Sequence, residues 1–171
     1  MNCLEKKTTW KGRFIVRTRL KRIVPDTGVL SEYVVKRAPY RSRVEELFSL
    51  AALRKIELLL GHLTISETIY VVTRIYQEAS VSEADKLALD FLSWIKPKCK
   101  MVSTTEEIAI QAGELKKRIK IALPDCYVIA TAKAYGGVPL FRKVEAEMEP
   151  FVGYLKGIGV QFLDDERWSL A

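Results

Sequence analysis

Short apolar segments alternating with longer segments of helical periodicity predict a parallel α/β fold. The short segments are Ile23–Val24, Leu58–Leu60, Lys100–Val102, Val138–Phe141 and Val160–Leu163. The stretches between them place apolar residues three and four apart, as one face of a helix requires. Glycine or proline marks most of the junctions, at Pro25, Gly61, Pro97, Gly136-Gly137 and Gly157-Gly159.

The first strand closes on Pro25-Asp26-Thr27-Gly28. A proline costs a ladder hydrogen bond inside a central strand, so Pro25 is expected at the strand's last position. Val29 to Lys36 reads as a short helix stopped before Ala38-Pro39. Val44, Leu47, Phe48, Ala51 and Ile56 give a second helix from about Arg41 to Lys55. After Leu58–Leu60, a helix over about Ile65 to Ala79 carries Ile65, Ile69, Val72 and Tyr76 on one face. Glu83 to Ile95 is a further amphipathic helix, and the third strand is followed by another over Glu106 to Ile119. Pro124 stands in a first-turn position and opens a helix to Tyr135. A last helix is expected around Ala146 to Lys156.

At 171 residues the chain is long enough for a core without disulfides or structural metal. Its hydrophobic content of 49%, with nine glycines and six prolines, argues for a compact globular protein and against a disordered chain. No apolar run approaches the roughly 20 residues of a membrane span, and no secretory signal pattern is present. The expected location is cytoplasmic. Asparagine and glutamine are scarce beside many charged residues, a pattern of proteins from hot environments. Cys3, Cys99 and Cys126 have no metal or redox spacing and read as small buried hydrophobes. His62 is the only histidine, which argues against a Ser-His-Asp or histidine-based metal site.

The net charge of +7 is concentrated at one end. Residues 1–22 hold eight Lys and Arg against one acid, Glu5, and the rest of the chain balances. Residues 1–22 are therefore expected to be a basic extension preceding a domain over 23–165. Such a segment suits phosphate binding through sequence-independent electrostatics. The plain alternatives are a solvated, frayed terminus or a start site assigned too far upstream.

Asp26, Glu67 and Asp125 each stand where an apolar or proline-marked segment gives way to a helix. In a parallel α/β fold these junctions gather at the carboxyl edge of the sheet, where ligands bind. Two charges about 4 Å apart repel by roughly 4 kcal/mol at an effective dielectric of 20. Such a cluster needs a cation, and an all-oxygen donor set selects Mg²⁺ or Mn²⁺. Each acid also has an ordinary structural reading. Thr64 to Glu67 has capping-box spacing, shared by Ser80 to Glu83 and Thr104 to Glu107. Asp125 lies in a first helical turn, where the macrodipole favours it, and Asp26 can shape a turn. The residues alone leave the two readings balanced.

The segments Ile23-Val24-Pro25-Asp26-Thr27-Gly28-Val29-Leu30, Leu63-Thr64-Ile65-Ser66-Glu67 and Leu123-Pro124-Asp125-Cys126-Tyr127-Val128-Ile129-Ala130-Thr131-Ala132 resemble the three acidic motifs of the PIN-domain ribonucleases, and most nearly those of VapC-type toxins. The likeness runs from about Ile23 to Leu163 in family order. It implies a three-layer sandwich with a mostly parallel five-stranded sheet. It also implies Asp26, Glu67 and Asp125 as catalytic, metal-binding acids for Mg²⁺ or Mn²⁺, RNA as substrate, a homodimer and a small antitoxin partner. Arg142 and Val144 stand where the family often has Thr-x-Asp, leaving Glu145 or Glu147 to complete the pocket. Gly28 lacks the polar side chain often found two residues after the first aspartate. Candidate RNA contacts are Lys116, Lys117, Arg118 and Lys120, with Arg142 and Lys143; for the first group, dipole matching at a helix end is the simpler account. The rival class is a degenerate PIN scaffold that binds RNA or protein without cutting.

Overall fold

In the computed structural model, which describes residues 20–169, five strands form one sheet in which every pairing is parallel. They are β1 (Lys21–Pro25), β2 (Ile56–Gly61), β3 (Cys99–Val102), β4 (Val138–Phe141) and β5 (Gln161–Phe162), in the spatial order β3-β2-β1-β4-β5. The helices are α1 (Thr27–Glu32), α2 (Arg41–Ala52), α3 (His62–Glu78), α4 (Ala84–Ile95), α5 (Glu106–Ile119), α6 (Leu123–Tyr135) and α7 (Val152–Gly157). Cys3 and the expected basic extension up to Arg19 lie outside the described residues.

Strand periodicity of two builds the layers. Ile23, Leu58, Leu60 and Leu140 face a core shared with α1, α2, α3 and α4. Their neighbours Val24, Leu59 and Phe141 face a second core with α5, α6 and α7. Both sheet faces are thus covered, which is why β2 reads as an unbroken Leu58-Leu59-Leu60 run, each residue at most 1% exposed. The expected three-layer sandwich is the observed fold, with a sheet that is wholly parallel.

Pro25 ends β1, as required, and the next residue extends the pairing: the Asp26 N–H donates to the Leu140 carbonyl at 2.9 Å. The strand begins earlier than the expected Ile23. Arg22 is held within it by Glu57 on β2 at 2.7 Å and by the Tyr135 carbonyl at 2.8 Å. Lys21 and Arg22 therefore belong to the sheet.

Several helix boundaries depart from expectation. The first helix was expected over Val29–Lys36 but spans Thr27–Glu32, because Asp26 caps it by accepting from the Val29 N–H at 2.7 Å. β2 runs into α3 with no turn between, since Gly61 is extended and His62 is already helical. Thr64 consequently lies inside α3, and no capping box forms with Glu67. Ser80 and Glu83 both adopt left-handed backbone, so the second expected box is also absent. Thr105, one residue after the expected Thr104, caps α5 through the Ile108 N–H at 3.3 Å. The last helix is shorter than expected. Pro150 sits in a 3-10 turn over Glu149–Phe151, and an α-helix starting at Ala146 would place this proline where it removes an interior hydrogen bond. Among the described residues no helix is long and apolar enough to cross a membrane.

Cys126 is buried and Cys99 partly so; burial pushes their thiols up to about 11 and about 12, leaving both unreactive near neutrality. Leu58 is fully buried in β2. Leu58→Ala is expected to lower stability by about 2–5 kcal/mol, measurable as a reduced urea midpoint at unchanged slope.

Candidate metal and substrate site

The sheet order places a topological switch between β1 and β4: the chain leaves β1 toward β2 and β3 on one side, and returns through β4 to β5 on the other. A crevice outside the carboxyl ends of strands at such a switch is where ligands bind in open α/β folds. Asp26 follows β1 at this point. Asp125 lies in the first turn of α6, which packs on β1 and β4. Glu67 lies in the second turn of α3, whose start at Gly61 approaches Thr131 of α6.

The carboxylates share one field. Asp26 as a residue is partly exposed, yet its carboxyl is enclosed, and burial raises it from an ordinary 3.8 to about 7. The backbone donors of Val29 and Gly28 pull the other way, while the charges of Glu145 and Glu67 add to the rise. Asp125 is raised from 3.8 to about 8, first by burial and then by the negative charges of Asp26, Glu145, Glu147 and Glu67. The fields of Asp26 and Glu67 thus both reach Asp125. Glu67 is oriented by Thr27, whose hydroxyl donates to Oε2 at 2.8 Å. With the capping box gone, that bond to the first turn of α1 is what fixes the glutamate.

Asp26 accepts from the Val29 N–H on Oδ1 and also from the Gly28 backbone, and Glu67 Oε2 accepts from Thr27, leaving Glu67 Oε1 without a hydrogen bond among the described residues. The side chains do not form a closed cage: among the described residues no three His, Cys, Asp or Glu are grouped so as to hold a metal ion. The set suits a hard divalent cation in donor type and in charge, since two enclosed, mutually repelling carboxyls would exchange their protons for it. Of the two candidates for the fourth acidic position, Glu147 is tied to the Ala122 N–H at the start of α6. Glu145 is exposed, and its charge reaches both Asp26 and Asp125.

The basic residues divide. Lys116 bonds the Lys120 and Ile121 carbonyls, Lys117 pairs with Glu114, and Arg118 lies against the Tyr154 ring and hydroxyl. These three close the end of α5, as dipole matching anticipates. Arg142 pairs with Glu32, whose side chain is only 2% exposed. Neither Thr27 nor Glu32 stands out in the sequence. The sole signal for Thr27 is its place directly after Asp26, and nothing local marks Glu32 as buried.

A PIN domain family model matches residues 23–141. No curated protein matches the chain. Among solved structures, VapBC2 from Rickettsia felis, bound to a DNA fragment from its promoter, is 13% identical with a TM-score of 0.59, covering 82% of this chain and 96% of that one. A toxin–antitoxin complex from Klebsiella pneumoniae is 17% identical with a TM-score of 0.53, covering 77% and 93%. Mycobacterium tuberculosis VapC20, a toxin that cleaves the sarcin–ricin loop, is 12% identical with a TM-score of 0.56, covering 75% and 93%. At these identities the likeness is one of fold.

Both aspartates have folded pKa values above the 3.8 of the unfolded chain. Between about pH 4 and 8 the metal-free folded protein therefore binds more protons than the unfolded chain, and its stability falls as pH rises. Thermal melting in EDTA should show a loss on the order of a few kcal/mol from about pH 5 to about pH 8. Asp125→Asn should flatten that dependence.

Proposed function

The chain belongs to the PIN domain family, and from that membership and its likeness to toxin structures we propose that it is a divalent-metal-dependent ribonuclease hydrolysing RNA phosphodiesters, the toxin of a toxin–antitoxin pair. The observation that carries this reading is the enclosed pair Asp26 and Asp125, raised to about 7 and about 8 at the carboxyl end of β1, with Glu67 in their field. Repelling carboxyls held in partly buried positions at a sheet switch point are costly to a fold and useful to an ion site.

Asp26 and Asp125 would hold Mg²⁺ or Mn²⁺, with Glu67 binding directly or through water and Glu145 as the fourth acid. Such an ion would supply Lewis acidity, lowering the pKa of water so that hydroxide is available near neutral pH and offsetting negative charge on the phosphate. The chain's own part is to hold the donors in place. Val29 and Gly28 aim the Asp26 carboxylate from the helix start, Thr27 aims Glu67, and the α6 dipole favours the ionised form of Asp125. No side chain serves as nucleophile. A small antitoxin protein and a homodimeric assembly belong to the same proposal; the toxin–antitoxin complex among the structural neighbours supports the first.

A second reading, a PIN scaffold that binds without cutting, is favoured by the absence of a closed acidic cage among the described residues and by Arg142 and Val144 after β4. Cleavage separates the two. The purified chain should cut a structured RNA in Mn²⁺, and EDTA should stop it. Asp125→Asn should lower the rate by at least about a hundredfold in a still-folded protein. Mn²⁺ anomalous scattering from soaked crystals should place an ion beside Asp26 and Asp125. Activity on no RNA with either metal, and no anomalous peak, would leave the scaffold reading standing. Thr27→Val, which frees Glu67 from its donor, should cost about tenfold in rate and in metal affinity together.

A further inference from the structure

Resting on the ribonuclease reading, we infer that Arg142 is a substrate-positioning residue: anchored by buried Glu32, it binds a phosphate of the RNA strand flanking the one held at the carboxylates. Three observations place it. Arg142 directly follows β4, the strand whose Leu140 carbonyl accepts the Asp26 N–H. Its Cβ lies 3.2 Å from where a Gly28 Cβ would stand, and the same point is 3.0 Å from Asp26 Oδ2, so its stem begins beside the acidic site. Its Nη1 then reaches Glu32 Oε1 at 3.2 Å, at the far end of α1. At 1.5 Å per residue, the six positions from Asp26 to Glu32 put the guanidinium about 9 Å along the helix from the start of the site.

Glu32 is fixed independently. It is 3% exposed, and its second oxygen accepts the Tyr40 N–H at 3.1 Å. The Arg142 side chain is 38% exposed and makes this one side-chain hydrogen bond among the described residues. A guanidinium has five N–H donors in a planar fork, and only the Nη1 bond to Glu32 engages one of them with a side chain among the described residues. Preorganised in this way, it loses little freedom on meeting an anion. Lys143, the next residue, is exposed and adds positive charge. By contrast, Lys116, Lys117 and Arg118 already serve other groups. Gly28 and Arg142 are thus two halves of one arrangement: a side chain at position 28 would press on the arginine stem and on Asp26 together.

Binding of a labelled single-stranded RNA to the full chain carrying Asp125→Asn, at one fixed Mg²⁺ concentration and varied NaCl, tests this. Adding Arg142→Gln should weaken binding about tenfold at low salt. It should also reduce the slope of log Kd against log salt by about 0.7, the loss of one phosphate contact to a single strand. Arg142→Lys should keep the slope, since the charge remains. Because Arg142→Gln leaves a buried acid unpaired, the double change Arg142→Gln with Glu32→Gln guards the fold and should lose the same slope. An unchanged slope in a folded double variant, while the unmodified chain cleaves RNA, would overturn the assignment alone and leave Arg142 as a neutraliser of Glu32. Neither binding nor cleavage by the unmodified chain would overturn the ribonuclease reading with it.

Discussion

Negative charge enclosed at the carboxyl end of β1 is the constraint around which this protein is arranged. Asp26 and Asp125 are each pushed up by burial before any neighbour is counted, and the repulsion between acids is added to that cost. A fold selected for stability alone would replace one of them with an apolar or amide side chain. Instead the surroundings hold the acids where they are: backbone donors on Asp26, a hydroxyl on Glu67, a helix start under Asp125. Local violation of the rules that govern the rest of a fold is characteristic of a functional site.

The rest of the structure is ordinary enough to support that exception. Adjacent residues in β1, β2 and β4 enter opposite cores, so two helical layers clamp a sheet with both faces dry. The strand carrying Asp26 is central, flanked by β2 and β4, and the residue itself continues the β4 ladder through its own N–H. An acid at a frayed edge could swing away from its neighbours. One pinned to a central strand cannot, and the site inherits that rigidity.

Much of this was legible in the residues. Apolar runs marked all five strands, and α5 and β4 were bounded as the structure has them. The acids were visible because strand-to-helix junctions are punctuated by proline and glycine. What failed was capping. Ser and Thr three positions before Glu suggest three capping boxes, but none forms: α5 starts where expected yet is capped by Thr105, and the other two are displaced by tertiary geometry. At Gly61 the sheet feeds the helix directly, and at Ser80 and Glu83 the backbone turns left-handed. A local pattern worth about 1 kcal/mol does not outweigh strand register. Glu32 was invisible for a related reason: its burial depends on Arg142, 110 positions away, and no window of sequence contains both.

The departures at positions 28 and 142 look, one at a time, like losses from an acidic site. Taken together they have a steric logic. Removing the side chain at 28 opens the space that the Arg142 stem occupies, and the arginine's charge is then balanced by an acid buried on the same helix. A buried carboxylate is costly unless paired; Arg142 supplies that partner for Glu32. The three residues form one arrangement: Gly28 leaves room for the arginine stem, and Glu32 fixes the charge at its end.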